Sequence, residues 1–312
     1  MTNGSPLSTR VIVLMTLPPL LWAGNAVVGR LLVGSVPPMT LNFIRWLLAA
    51  ALLAPLGWRA LRGPRDRRAI AAAWPYLLAI GTCGVGAYNA LQYLALETST
   101  ALNVTLIAAS MPVWMLAIGA LFFSERPTAR QIAGAALSLA GVLMVVSRGQ
   151  WAVLARVQFV PGDGYILLAV MMWALYSWLL VRPPAAMRAP QRPDWDWAAF
   201  LFVQTLFGLI AAGAAAAGEA AFVHPPAIDW HNGWILAALA YVAIGPSIIA
   251  YRCWGLGLAI GGPALAAFFA NLTPLFAALL SALLLGEAPQ AYHAAAFALI
   301  VAGIAVTVRR VR

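Results

Sequence analysis

Long apolar runs separated by short polar segments occupy most of this 312-residue chain. A helix needs about 20 apolar residues to cross a hydrocarbon core of roughly 30 Å. The alternation of polar and apolar residues that is typical of strands is absent. The pattern therefore predicts an all-α integral membrane protein with ten transmembrane helices, over residues 11–31, 38–57, 74–95, 100–123, 128–147, 163–181, 196–217, 233–256, 263–285 and 290–308.

Residues 102–145 recur later in the chain at a constant spacing of 162 residues. The pairs that match without a gap are Pro112 with Pro274, Glu125 with Glu287, Pro127 with Pro289, and Gly141 with Gly303. Upstream of each copy is a glycine-rich span with a tyrosine, Tyr88 in one and Tyr251 in the other. A repeat at fixed spacing indicates duplicated units. The sequence thus predicts one five-helix repeat at 1–147, a connecting segment at 148–162, and a second five-helix repeat at 163–312.

The composition excludes a soluble globular domain. Hydrophobic residues make up 63% and charged residues 9% of the chain, and the mean hydropathy is +0.87. The net charge of +10 comes from 19 basic residues, all of them arginine, and most lie in short loops between apolar runs. Such loop arginines set the orientation of a protein in a lipid bilayer, so they do not indicate a nucleic-acid partner.

The arginines also predict that the second repeat is inverted. Five of them lie between spans two and three, whereas the corresponding loop between spans seven and eight has none. The loop between spans six and seven has three, and its counterpart between spans one and two has none. Because positive loops stay inside, this pattern predicts a multi-pass protein of the cell inner membrane with both termini cytoplasmic. Inverted repeats with bent helices are typical of alternating-access transporters.

Prolines inside the apolar runs mark the predicted bends. Proline removes a backbone donor and disturbs the helix around it. The predicted kinks or hinges are Pro18 and Pro19 in the first span, Pro112 in the fourth and Pro274 in the ninth.

Nothing in the sequence indicates an enzyme. The nine Asp and Glu residues lie in loops or at span ends, so we expect no carboxylate inside the bundle and transport without proton coupling. Cys83 and Cys253 lack the spacing of metal ligands, and no phosphate-binding loop or nucleophile motif is present. We therefore expect no catalytic residue, no metal and no cofactor.

Neutral polar and aromatic side chains lie deep in several spans. Each alone fits ordinary packing or an interfacial anchor, but together they are costly unless they line a wet cavity. Rings and neutral hydrogen-bonding groups suit a small amphipathic solute with an apolar or aromatic side chain. The predicted substrate-binding residues are Trp22, Asn25, Tyr88, Asn89, Gln92, Trp173, Tyr176, Ser177, Tyr251, Arg252 and Asn271.

Two arginines, Arg45 and Arg252, lie inside spans at a distance from the span ends. Arg252 has two readings that the sequence leaves open: a group that binds a substrate carboxylate, or a side chain held by helix-end carbonyls or reaching the cytoplasmic face. Arg45, in the second span, either points into the bundle or reaches the membrane boundary, and a structural arginine at the boundary is the favoured interpretation.

Several motifs resemble a known family. They are Trp22 with Asn25 in the first span, Pro37, Pro38, Phe43, Arg45 and Trp46 around the second, and Pro with Glu-x-Pro in both repeats. These features resemble EamA-type carriers of the drug/metabolite transporter superfamily, most of all the YddG-type exporters. The resemblance implies a central cavity between the halves and export of aromatic and other apolar amino acids.

The resemblance specifies the superfamily more closely than the substrate. One alternative is a multidrug or other metabolite exporter of the same superfamily, and another is a non-transporting membrane scaffold or sensor. The expected partners are a small-molecule substrate and the lipid bilayer. The sequence leaves the oligomeric state open, with a monomer among the possibilities.

Overall fold

The computed structural model describes residues 8–32, 34–188, 191–223, 225, 227–285 and 290–308. These residues form helices and no strand, which confirms the all-α prediction. Within these ranges eight helices are long and apolar enough to cross a membrane, and Ala291–Thr307 is a shorter apolar helix. The count of ten spans stays a prediction.

The helices follow one another with short connections. In chain order they are α1 (Thr9–Leu31), α2 (Pro38–Gly57), α3 (Pro64–Ile80), α4 (Tyr88–Thr98), α5 (Ala101–Ala108), α6 (Met111–Phe123), α7 (Ala129–Val146), α8 (Pro161–Val181), α9 (Trp197–Phe222), α10 (Gly233–Val242), α11 (Ala250–Ala270), α12 (Thr273–Leu285) and α13 (Ala291–Val308). Short 3₁₀ turns cover Trp58–Leu61, Trp151–Arg156 and Ala185–Met187.

Two seven-residue π-helical stretches interrupt the long helices. The first π segment, Gly81–Ala87, joins α3 to α4, and the second, Ala243–Ile249, joins α10 to α11. A π turn leaves carbonyls without their usual helical donors, so other groups must satisfy them. Asn42 of α2 donates its Nδ2 to the carbonyls of Val85 and Gly86, at 3.1 and 3.2 Å.

The 162-residue spacing of the sequence recurs in the helix boundaries. Adding it to the first π segment gives the bounds of the second, and adding it to α6 and α7 gives those of α12 and α13. The predicted partners Glu287 and Pro289 lie outside the described residues. In the helices, Pro112 of α6 corresponds to Pro274 of α12 and Gly141 of α7 to Gly303 of α13, whereas the glycines of the two π segments do not correspond.

Helices from the two halves pack in pairs: α2 on α9, α1 on α11, α4 on α8, and α7 on α13. The last pair depends on small residues. A Cβ on Gly134 would lie 2.7 Å from the carbonyl oxygen of Gly303, and one on Gly141 would lie 2.8 Å from that of Ala296. These glycines therefore permit close packing within the chain, as small residues do between membrane helices.

The predicted kink prolines occupy two kinds of position. The helix α1 is continuous through Pro18 and Pro19, and a bend at these residues stays a prediction. Pro112 and Pro274 are the second residues of α6 and α12, and the interruption lies on their N-terminal side. A proline is tolerated in the first turn because its missing N–H would have no helical partner there.

The main departure in helix bounds is at α3, which begins at Pro64, earlier than the predicted third span. Arginines assigned to a loop, Arg65, Arg67 and Arg68, therefore lie in the first turns of a helix. The fixed backbone angle of Pro64 favours a helix start at this position even though the residues that follow are polar.

Candidate functional site

A cavity of about 950 Å³ lies in the centre of the bundle. Its walls come from both predicted halves: α1, α4, α5 and α6 on one side, α8 and the junction of α11 with α12 on the other. The lining includes seven of the predicted substrate-binding residues and one predicted hinge, namely Trp22, Asn25, Tyr88, Asn89, Gln92, Trp173, Asn271 and Pro274.

Six rings close one end of this cavity, and we call them the aromatic floor. Trp173 of α8 lies at their centre and is only 2% exposed. Its ring centroid lies 4.9–5.5 Å from the centroids of Trp22, Tyr88, Tyr176, Tyr251 and Trp254. Edge-on and tilted contacts at such distances are favourable for aromatic pairs. The floor is therefore a packed group of rings with an apolar face toward the cavity.

Three predicted site residues belong to this floor or contact it and do not line the cavity. Tyr176 and Tyr251 are buried rings of the floor, and the Tyr251 hydroxyl donates to a carbonyl of the first π segment. Ser177 donates its hydroxyl to the Trp173 carbonyl at 2.9 Å and accepts a hydrogen bond from Trp254 Nε1 at 3.2 Å. Their part in substrate binding stays a prediction.

The second π segment is tied to the same floor. Trp22 donates its Nε1 to the carbonyl of Pro246 at 3.3 Å. The Ser247 hydroxyl donates to the Val242 carbonyl at 2.7 Å. Side chains that satisfy these irregular turns thus also position a ring that lines the cavity.

Arg45 is fully buried, with 0% exposure, so the interpretation that it reaches the membrane boundary is wrong. Its Nε donates to Ser247 Oγ at 3.0 Å, and its Nη1 donates to Asn25 Oδ1 at 3.3 Å and to Tyr93 Oη at 3.2 Å. Its Nη2 has no hydrogen-bond partner among the described residues. Asn25 and Tyr93 line the cavity, so Arg45 lies directly behind its wall.

Asn271 is held on the other side of the cavity. Its Nδ2 donates to Ser138 Oγ at 2.9 Å and to the carbonyl of Ala109 at 3.4 Å. A backbone carbonyl only accepts hydrogen bonds, which fixes the amide nitrogen on that side. The carboxamide oxygen of Asn271 is therefore the atom left for a ligand in the cavity.

Family comparison identifies the class of protein built around this cavity. The EamA-like transporter family model matches the chain twice, at residues 9–147 and 160–309. The chain belongs to the EamA-like transporter family. It is accordingly a multi-pass membrane protein and a transporter, not an enzyme, as the sequence predicts.

Similar members of this family cover nearly the whole chain. An uncharacterized transporter of Archaeoglobus fulgidus is 27% identical over 96% of this chain and 98% of its own length. The aromatic amino acid exporter YddG of Ancylobacter novellus is 25% identical over 88% of each chain. A probable terminal-alkyne amino-acid exporter of Streptantibioticus cattleyicolor is 26% identical over 86% of this chain and 84% of its own.

A crystal structure of a protein 24% identical to this EamA-like chain shares its fold, with a TM-score of 0.73 over 96% of both chains. Agreement over that length shows that the helical arrangement described above is a known one.

Arg252 of this EamA-like chain lies outside the cavity lining. Its guanidinium stacks 4.2 Å above the ring of Trp197, the first residue of α9. An arginine on an aromatic face at a helix end needs no substrate to stabilise its charge. Substrate binding by Arg252 stays a prediction, and its position favours the alternative of an arginine held near a helix end.

Among the described residues two carboxylates are buried, in contrast to the expectation that the bundle contains none. Glu219 of α9 accepts from the backbone N–H of Met39 at 2.9 Å and from that of Thr40 at 2.8 Å. It therefore caps the N-terminus of α2, where unpaired N–H groups favour an anion. Sequence reasoning placed Glu219 in a loop because α9 extends farther than the predicted span.

Asp163 is the second buried carboxylate, in the first turn of α8. It accepts from the Ser99 hydroxyl, from Asn103 Nδ2 at 2.9 Å and from the backbone N–H of Val160 at 2.9 Å. Ser99 lines the cavity, whereas Asp163 and Glu219 do not. In the part of the chain that the structure describes, no Asp or Glu lines the cavity and no group of residues has the make-up of a metal site.

A second group of contacts lies on the side of the aromatic floor that faces away from the cavity. Glu125, after α6, forms an ion pair with Arg182, after α8. Nearby, Trp178 donates its Nε1 to the carbonyl of Met115 at 2.7 Å and stacks on Phe123 with centroids 5.3 Å apart. These contacts join the two predicted halves on the far side of the aromatic floor.

Proposed function

We propose that this transporter exports small neutral amino acids, above all those with aromatic or other apolar side chains, by alternating access. The moving parts are two inverted five-helix repeats, residues 1–147 and 163–312, connected by 148–162. The observation that carries the proposal is the central cavity, which combines an aromatic floor, neutral polar groups and walls from both repeats.

The size and lining of the cavity suit this substrate class. Small-molecule sites have volumes of about 300–1,000 Å³ with mostly apolar walls and a few placed polar groups. The rings of Trp22, Tyr88 and Trp173 offer an aromatic side chain edge-on or offset contacts. Asn25, Gln92 and other neutral polar groups are available to the amino and carboxyl groups.

The charge distribution supports an orientation for the cavity. It extends from the aromatic floor toward the turn at Ser99 and Thr100, whose own loop has no arginine. Arg148 and Arg156, in the connecting segment on this side, are the exceptions to the charge pattern. The arginine-rich loops lie beyond the floor, on the side of the Glu125–Arg182 ion pair. By the positive-inside rule this describes an outward-facing state of an inner-membrane protein with cytoplasmic termini. Residues 1–7 and 309–312 lie outside the described ranges, so the orientation rests on the loops.

Transport is facilitative in this proposal. Proton- or sodium-driven carriers commonly place ionisable groups at membrane depth, and both buried carboxylates here are occupied as helix caps. A multidrug exporter of cationic compounds is disfavoured because no carboxylate of the described residues lines the cavity to balance a desolvated cation. The names of two relatives, both amino-acid exporters, point to the same class.

Counterflow into proteoliposomes tests the proposal. Vesicles loaded with unlabelled phenylalanine should accumulate radiolabelled phenylalanine, tryptophan and methionine, with threonine as a small polar comparison, without any ion gradient. Uptake that requires an imposed proton gradient would overturn the facilitative part of the proposal. Absence of flux for every amino acid in both conditions would overturn the substrate class.

A matched pair of variants ties the flux to the cavity. Ala108 lines the cavity, whereas Ala120 lies on the exposed face of α6. Ala108→Phe should fill the binding space and abolish counterflow, and Ala120→Phe should leave it unchanged. Equal flux in the two variants would show that the substrate takes another route.

A further inference from the structure

We propose that the cavity recognises both charged ends of an α-amino acid through two oppositely oriented asparagines. Asn25, backed by the buried guanidinium of Arg45, binds the carboxylate, and Asn271 binds the ammonium group. The site therefore selects zwitterions over organic cations. This inference rests on the proposed function and names the chemistry by which its substrates are chosen.

The first step is the uncompensated charge of Arg45. An arginine side chain keeps its positive charge in proteins, and a charge buried without a countercharge is costly, most of all at membrane depth. All three groups that accept its hydrogen bonds, on Ser247, Asn25 and Tyr93, are neutral. Its Nη2 has no hydrogen-bond partner in the described part of the chain. The region behind this wall thus has a positive charge that an anion in the cavity would balance.

The second step is the orientation of Asn25. Because arginine only donates hydrogen bonds, the Asn25 carboxamide must present its oxygen to Arg45. The Tyr93 hydroxyl donates to the same oxygen at 3.2 Å. The Nδ2 group, with its two donor hydrogens, is then the part of Asn25 that is left for a ligand. Hydrogen bonds in a chain polarise one another, so the charge of Arg45 makes this amide a stronger donor to a carboxylate.

The third step is the opposite orientation of Asn271. Its amide nitrogen is fixed by the Ala109 carbonyl and Ser138, which leaves the oxygen as an acceptor. An ammonium group has only donors to offer, so it needs an acceptor of this kind. Asn25 is on α1 and Asn271 lies two residues before the start of α12, and these two helices pack against each other. The cavity thus presents a donor end and an acceptor end above the same aromatic floor.

The wild-type protein tests this inference with three ligands that share one side chain. They are phenylalanine, phenylalaninamide, which lacks the carboxylate, and 3-phenylpropionate, which lacks the ammonium group. Calorimetry on the purified protein should show the tightest binding for phenylalanine. Phenylalaninamide should bind at least about tenfold more weakly, since it loses a hydrogen bond strengthened by a charge. Equal binding of phenylalaninamide and phenylalanine, or no binding of any ligand, would overturn the inference.

Two variants address the carboxylate end. Arg45→Gln removes the charge and should weaken phenylalanine binding while changing phenylalaninamide binding little. Asn25→Asp places a carboxylate on Arg45, which cancels the charge while keeping the buried arginine paired. This second variant should reverse the preference and bind phenylalaninamide more tightly than phenylalanine. An Asn25→Asp protein that retains the wild-type preference would overturn the role assigned to Asn25.

Arg67→Gln is the matched control, because Arg67 is exposed and donates only to the backbone carbonyls of Leu61 and Arg62, which precede its helix. It should bind all three ligands as the wild type does. Binding and flux separate the two proposals. Selective binding of phenylalanine without counterflow would refute the transport function and leave this inference intact. Counterflow that accepts phenylalaninamide as readily as phenylalanine would refute the inference and leave transport intact.

Discussion

Replacing Trp173 by alanine is the most direct test of the aromatic floor. Lipid tails are as apolar as a protein interior, so moving this side chain from lipid to the bundle gains little from the hydrophobic effect. What remains is packing against its neighbours. Trp173 has five ring partners within 5.5 Å. At about 0.5–1 kcal/mol per aromatic pair, Trp173→Ala should lower the free energy of unfolding by about 2.5–5 kcal/mol.

The unfolding free energy can be measured by titrating purified protein in mixed micelles with dodecyl sulfate and following helix content by circular dichroism. Trp230→Ala is the control, because Trp230 lies in a loop and is itself 49% exposed. Trp173→Phe retains one ring at the centre of the floor, so its free energy of unfolding should fall less than that of the alanine variant. If Trp173→Ala remained within about 1 kcal/mol of the control, ring packing would not be what holds the floor together.

Three further predictions concern other contacts. Glu125→Gln should lower the free energy of unfolding by less than about 1 kcal/mol, measured in the same micelle titration, because the two partners of this ion pair are 44% and 51% exposed. Gly141→Val should force α7 from α13 and lower the melting temperature in detergent, whereas Gly164→Val should not, since nothing lies within 4 Å of a Cβ there. Asn42→Leu should cost about 1–3 kcal/mol because two carbonyls of the first π segment lose their donor; an unchanged titration midpoint would contradict that role.

The sequence predicts the helices well because the thickness of the bilayer sets the length of the apolar runs. The 162-residue spacing also appears in the boundaries of α6, α7, α12 and α13. It does not predict the π segments. Their glycines are visible, but the carbonyls are satisfied by residues distant in sequence, such as Asn42, and no local pattern encodes that.

The sequence predicts the residues of the candidate site less completely than it predicts the helices. Seven residues chosen for polarity or aromaticity line the cavity, since such groups are expensive elsewhere in a membrane. Arg45 was interpreted from its distance to the span end, which says nothing about which helix face it occupies. The face became clear only with Asn25, Tyr93 and Ser247 around it. The Phe-x-Arg-Trp motif at residues 43–46, one of those that carry the family resemblance, was the one sequence signal that marked it.

The short face of α2 that carries Asn42 and Arg45 has a mechanical consequence. These residues are three positions apart and therefore lie on the same side of the helix. Asn42 bonds carbonyls of the first π segment, and Arg45 bonds the hydroxyl of Ser247 in the second. The helix α2 is therefore hydrogen-bonded to both π segments, one in each half of the molecule. A movement of α2 along its axis therefore strains both π segments together. A pair of distance labels placed across one π segment would then report a movement that the other π segment shares.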